Sequence, residues 1–323
     1  MLHLYDSSPY SIESQTFRLK AASVLSAACI KSLVWGQDAL AFVHFIPAGV
    51  TALHLVVADQ DVQVASTKIT DSLPYEVFTG IVKNYVEFIA IYPDQPRFFP
   101  NSVHLQLTTP LNERDVDDPD MIIVHPQSHL YFDVQDDTRS LSLPPFPDNI
   151  RFPTRTAFLD SMIATMLDPP SGRVSVGLRI KLMSWISYFF TYTLRNSPRV
   201  LPTGNLEPEH AEVLSSLRPE NRPYFDDFTR SPSTPSISWK DHVLLRKEVL
   251  EKLGCVRFSI SFSKGYSRLR RKYEEARRPL PLPPPGNPAL LRLALFGASP
   301  SNSGDSDARA KCEMMRANAL TQT

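Results

Sequence analysis

Carboxylates, imidazoles and guanidinium groups are the side chains in this sequence with the most chemistry to offer, and spacing limits what each can do. Asp59 and Asp61 stand two residues apart, the separation at which a strand turns two side chains to one face and two acids could share a divalent cation. They follow an apolar run instead of lying within it, and Asp59 falls where a helix N-cap would, so capping is the simpler account. Asp133 is a lone acid on a strand-like run, residues 130–134, and one carboxylate cannot hold two metal ions. The acid-rich stretch 112–120 (NERDVDDPD) reads as a solvated turn. His125 and His129 are four apart, but Pro126 between them argues against one helix carrying both. No nearby cysteine completes a zinc set, so no metal site is assigned. A G-x-S-x-G elbow, a Walker loop and a dinucleotide fingerprint are all missing, which weakens the hydrolase, ATPase and dehydrogenase readings.

Toward the C-terminus the chemistry changes to cations and prolines. Residues 264–278 (KGYSRLRRKYEEARR) hold seven basic side chains against Glu274 and Glu275. Such a run contacts phosphates, serves as a nuclear-import signal, or is simply a solvated helix. Tyr266 and Tyr273 are too few for a nucleic-acid stacking platform. Arg278, Pro281 and Pro284 then spell R-x-x-P-x-x-P, the three-residue repeat of a polyproline II helix. That pattern either docks an SH3-type groove, with Arg278 in an acidic pocket, or acts as a stiff linker.

Bulk properties narrow the setting. Lys+Arg and Asp+Glu both number 34, so no overall field draws the chain to nucleic acid or membrane, and any such attraction is local. Glycine occurs 11 times and proline 29 times, a balance that disfavours glycine-rich phosphate loops and favours rigid turns. Cys29, Cys255 and Cys312 are scattered and odd in number, which points to a reducing compartment. The opening MLHLYDSSPY lacks the features of a secretion signal, and Arg179 and Lys181 interrupt the longest apolar stretch, residues 174–194. An intracellular protein, cytoplasmic or nuclear and without a membrane span, is the expectation.

Periodicity supplies the elements that must position these groups. Helices are predicted over 14–30, 37–45, 61–73, 154–167, 174–195, 207–217 and 240–253. Strands are predicted over 32–35, 53–57, 75–79, 86–92, 103–108, 121–124 and 130–134, and a proline-punctuated connector over 143–153. The helix beginning at 174 is apolar almost all round, so Trp185, Tyr188, Phe189, Phe190 and Tyr192 read as core packing.

Residues 33–36 (LVWG), 38–42 (DALAF) and 51–57 (TALHLVV) give the order strand, glycine turn, helix, strand after a leading helix. This order resembles the opening of minimal nucleotidyltransferase-fold domains, the group holding antibiotic nucleotidyltransferases and toxin–antitoxin enzymes. Residues 35–42 (WGQDALAF), 151–160 (RFPTRTAFLD) and 201–204 (LPTG) also resemble a group of uncharacterised proteins common in mushroom-forming fungi. The first resemblance implies a strand with two carboxylates one residue apart and a third acid on a neighbouring strand, together holding Mg²⁺ and a nucleotide triphosphate. The matched positions read Ala52 and His54 (Thr51 and Leu53 if the register slips), then His104 and Gln106. With Gly36 at the turn, these residues would line the cleft, and they offer no carboxylate.

The expected fold is therefore α/β. A mixed, nucleotidyltransferase-like sheet occupies 13–150 and a helical part, 151–230, packs on it. A linker, charged helix and basic segment follow over 231–278, then a disordered proline-rich tail over 279–323. The expected function is that of a catalytically degenerate binding or regulatory protein without a cofactor. The alternatives are an active Mg²⁺-dependent nucleotidyltransferase using Asp59, Asp61 or Asp133, and an adaptor recruiting an SH3-type partner.

Overall fold

Strands that are apolar at every position need cover on both faces, and the two most apolar runs of this chain obtain it by sitting mid-sheet. The computed structural model describes residues 6–80, 99, 101–170, 176–194, 198–230 and 237–255. Its strands are β1 (Ser32–Trp35), β2 (Leu53–Val57), β3 (Tyr75–Val77), β4 (Val103–Leu107), β5 (Met121–Pro126), β6 (Ser140–Leu141) and β7 (Ile150–Pro153). They form one seven-stranded sheet in the order β3-β4-β5-β2-β1-β7-β6. The sheet is mixed: β2 runs parallel to β5 and β1 parallel to β7, while the other neighbouring pairs are antiparallel. Every residue of β2 and β5 is buried. The chain is α/β, as expected.

Helices cover the two faces. On one side lie α1 (Ile12–Arg18), α2 (Lys20–Ala27) and α4 (Val62–Ser72). Leu19, Leu25, Val62 and Ile69 from this layer share a core with Val34, Leu53, Leu55, Leu105, Ile122 and Val124. Alternation sends Leu33, Trp35 and Val56 the other way. There they meet α5 (Arg155–Leu167), α6 (Val176–Tyr192) and α8 (Arg222–Arg230) through Phe158, Met162, Leu182, Trp185 and Phe225. The short α3 (Gln37–Phe42) contributes to both cores, Leu40 to the second and Phe42 to the first. Two further helices among the described residues are α7 (Pro208–Ser216) and α9 (Trp239–Lys252).

The predicted helix over 14–30 is broken at Leu19, whose backbone (φ −90°, ψ 12°) ends α1 and starts α2. The break lets Arg18 turn inward, where its Nε donates to Asp38 Oδ1 at 2.6 Å and its Nη2 to the Thr51 carbonyl at 3.1 Å. Burial pushes the Asp38 carboxyl up, and the Arg18 guanidinium opposes that shift. The connector predicted over 143–153 ends as β7, which pairs with β1 at Ser32 and Leu33. Pro153 is tolerated there because it is the last residue of its strand. Thr154 then caps α5, its Oγ1 accepting from Ala157 N.

Asp160, on α5 and 1% exposed, fastens the helical layer. Its carboxylate accepts from Arg139 Nη2 at 2.6 Å, from Arg218 N at 3.1 Å and from Asn221 Nδ2 at 2.7 Å. Arg246 of α9 in turn donates to Asn221 Oδ1. A buried charge with this many donors is compensated, and removing it strands several of them at once. The elements named above belong to one compact unit, Met1–Val200 with Leu206–Arg277; the turn Leu201–Asn205 belongs to a second.

Among the described residues, no helix is long and apolar enough to cross a membrane. The strand predicted over 86–92, residues 231–236 of the linker, the basic run 264–278, and Arg278, Pro281 and Pro284 all lie outside the described residues.

Candidate functional site

Register decides which side chains share a face. Trp35 of β1 stands opposite His54 of β2, His54 opposite Ile123 of β5, and Ile123 opposite His104 of β4. Paired residues point to the same side, so Trp35, His54 and His104 form a row across the sheet, on the face covered by α5 and α6. His125 lies two residues beyond Ile123 and joins the row from the next level. His54, His104 and His125 are each at most 1% exposed.

Two of the imidazoles are bonded to one another. His54 Nδ1 lies 2.9 Å from His125 Nε2, and Ser102 Oγ lies 2.7 Å from His125 Nδ1. The two ring planes are within 2° of parallel and the centroids are 5.2 Å apart, the arrangement of an edge-to-edge hydrogen bond. One proton lies between the rings, so the chain Ser102–His125–His54 has two consistent directions, each with both imidazoles neutral. Burial holds His54 and His125 well below the ordinary histidine range, and Lys181 adds to the effect on both. His54 Nε2 is buried without a hydrogen-bond partner.

Aromatic rings wall the row in. The Trp35 indole packs edge-on against His54 (5.9 Å), Trp185 (5.4 Å) and Phe158 (5.8 Å), and its Nε1 donates to Ser161 Oγ at 3.0 Å. Phe99 covers His125 at 4.7 Å. Gly36 has φ +76°, and a Cβ there would sit 3.1 Å from His54 Cδ2 and 3.2 Å from Trp185 Cη2. Both the backbone conformation and the close approach therefore require glycine at that turn. Trp185, Phe189 and Phe190 are core residues, as read from the sequence, whereas Tyr188 is 48% exposed.

Of the residues that the sequence singled out, Gly36, His54 and His104 meet in this row. Ala52 faces the same side, buried against Met121 and Ile123, and Gln106 is half-buried at the edge of β4. The acids lie elsewhere. Asp59 is exposed in a single 3-10 turn, Asp59–Asp61, and neither it nor Asp61 makes a side-chain cap. Capping is thus corrected: the Asp59 carboxylate accepts from Ser128 N at 3.0 Å, a donor offered by the 3-10 turn after β5. Asp133 is corrected too. Residues 130–134 do not form a strand, because Tyr131 adopts a left-handed backbone (φ 52°) after the 3-10 turn Gln127–Leu130. Asp133 is exposed and accepts from Gln135 N at 2.9 Å, a local turn.

The acid-rich stretch 112–120 is tied down by Asp117 accepting from Ser14 Oγ at 2.6 Å and by the Asp118–Lys20 and Asp120–Arg114 ion pairs at 2.9 and 2.7 Å. Among the described residues, no three His, Cys, Asp or Glu side chains are grouped to hold a metal ion.

The sequence noted the spacing of His125 and His129 and assigned them no site; the structure bonds His125 to His54. The signal was present in β5, where a histidine ends an otherwise apolar run; a polar ring buried there needs a partner from a neighbouring strand. Ser102 and Lys181 carried no such signal. No protein-family model matches this chain, and no curated protein aligns with it significantly.

Proposed function

We propose that this chain is a non-catalytic binding or regulatory protein built on a nucleotidyltransferase-like sheet, with imidazole and methyl groups where such a sheet would carry its metal-holding carboxylates. The observation that carries this reading is the buried His54–His125 pair, 2.9 Å apart on the face where the acids would stand. Magnesium binds hard, charged oxygens in an octahedral shell and sheds its waters reluctantly. A methyl group at Ala52 and a neutral imidazole at His54 offer none, and both side chains are closed off from solvent. Of the acids that would have to substitute, Asp59 and Asp133 accept from backbone N–H groups in two separate loops, and Asp61 ends the same 3-10 turn as Asp59.

Calorimetric titration of the full chain with ATP, with and without Mg²⁺, tests the reading, together with analysis of the nucleotide for turnover. The expected result is that Mg²⁺ adds no affinity and no product forms. Magnesium-dependent binding with nucleotide turnover, abolished by Asp59→Asn or Asp133→Asn, would establish the enzyme reading in its place.

A further inference from the structure

Away from the sheet, α6, α8 and α9 enclose a cleft of about 560 Å³, within the size range of small-molecule sites. Its polar groups are mismatched in a consistent way. Arg179 and Arg199 both line it, half-buried, yet neither has a carboxylate within ion-pair distance among the described residues. Each guanidinium rests on a ring face instead: Arg179 lies 5.4 Å from the Trp239 centroid and Arg199 5.2 Å from that of Phe190. Stacking of this kind fixes the plane of the fork and leaves its N–H groups free to bind a ligand.

The one carboxylate among the described residues lining the cleft is bonded through one of its oxygens. Asp227 Oδ2 accepts from His242 Nε2 at 2.9 Å and from Ile237 N at 3.1 Å. Meanwhile Tyr224, 6% exposed, buries its hydroxyl without a partner, and Trp239 Nε1 and His242 Nδ1 are likewise buried and unpartnered. Buried polar atoms are nearly always bonded, so the Tyr224 and Trp239 donors in a cavity with two uncompensated cations call for an acceptor-rich occupant. The rest of the wall is apolar: Ile180 is 50% exposed and Met183 37% exposed, both on α6. Such a surface suits a ring or hydrocarbon body, and methionine favours an aromatic one.

We propose that this cleft binds a small aromatic organic anion, with its carboxylate or phosphate oxygens on Arg179 and Arg199 and its ring along Ile180 and Met183. Paired oxygen acceptors match a guanidinium fork in two-point contact, whereas a lone halide or an amine does not. The Tyr224 hydroxyl supplies a further donor from the cleft floor. No metal is required, so this site stands or falls independently of the reading of the sheet.

Titration of the full chain with phenyl phosphate, benzoate and inorganic phosphate, followed by calorimetry and by Trp239 fluorescence, is the test. At least one aromatic anion is expected to bind more tightly than inorganic phosphate. Comparison of phenyl phosphate with benzoate then identifies the anionic group. Arg179→Gln and Arg199→Gln should each weaken binding by about 10-fold, the loss of one charge-assisted contact. Tyr224→Phe keeps the ring and removes only the unpartnered hydroxyl, so it should weaken binding several-fold without lowering the melting temperature. This variant separates a ligand-binding role from a merely structural one and does not depend on the arginine variants folding. The proposal is overturned if neither aromatic anion binds, if inorganic phosphate binds as tightly as both, or if affinity is indifferent to Tyr224→Phe and Arg199→Gln.

Discussion

The histidine row on the sheet and the arginine cleft among the helices handle buried polarity in opposite ways. In the row, polar rings mostly pair with one another: His125 is bonded at both nitrogens and Trp35 donates to Ser161, with His54 Nε2 alone of these ring nitrogens left without a partner. Charge is suppressed at His54 and His125 because burial disfavours their protonated forms. In the cleft, two cations and two buried donors have no acceptor among the described residues, and the Asp227 carboxylate is already bonded. A polar network bonded mainly within itself specifies a fold, whereas one left open on a cavity offers a place for a ligand. The difference teaches that the residues at a resemblance-matched site need not be the ones that bind.

The comparison would be broken most severely through Asp160, which fastens the helices enclosing the cleft. Asp160→Ala leaves Arg139, Arg218 N and Asn221 without their shared acceptor. A loss of about 3–5 kcal/mol in urea denaturation is expected, as for removal of one partner from a buried ionic network. A change below about 1 kcal/mol would mean that the hub does not hold the layer.

Acid should act next, on the row and on His44, a separate histidine that lies against Phe158 and Phe189. His44, His54 and His125 are all held below the usual value, His44 to about 3, by burial first and then by nearby cations or imidazoles, Arg155 for His44 and Lys181 for the other two. The unfolded chain takes up protons below about pH 6.5 that the folded chain refuses. Stability is therefore complete above that value and falls as pH drops toward the folded values, by about 1.4 kcal/mol per pH unit for each histidine still neutral in the fold. Urea midpoints across this window measure the slope. Replacing His44, which stacks on Phe158 at 5.6 Å, by Phe should flatten it. An unchanged slope would remove His44 from the account.

Gly36→Ala sharpens the picture on a smaller scale. A methyl group there meets His54 and Trp185 at 3.1 and 3.2 Å in a left-handed backbone, so a loss of about 1–3 kcal/mol is expected in thermal denaturation. Smallest of all are the displaced acids. Asp133→Asn should shift stability by less than about 0.5 kcal/mol, as an exposed substitution that keeps its turn acceptor.

Much of the framework was legible because its signals are local. β1 and β2 begin and end where their composition predicts, and α5 starts at its Thr154 cap. What was not legible depends on partners distant in sequence. Residues 130–134 alternate like a strand, yet Tyr131 turns the chain left-handed and Ser161 Oγ takes the Leu130 carbonyl at 2.6 Å. β7 was hidden among prolines and exists because β1 offers it an edge. Asp59 looked like a cap because the donor that occupies it, Ser128 N, lies 69 residues away. In the candidate site, Gly36, His54 and His104 were named as the positions matched by the nucleotidyltransferase-fold resemblance. The pairing of His54 with His125, and the convergence of Arg179, Arg199, Tyr224 and Trp239, arise only when separate elements pack.

The central claim is that neutral, mutually bonded imidazoles fill the sheet face where charged oxygens would be needed to hold metal. Nitrogen-15 NMR of the histidine rings, recorded from about pH 5 to pH 8 with and without Mg²⁺, reads this directly. The account predicts that His54 and His125 stay neutral throughout, share a resolved Nδ1–Nε2 hydrogen bond, and ignore the cation. Ordinary titration of either ring near pH 6.5, or a shift of its resonances on adding Mg²⁺, would contradict it.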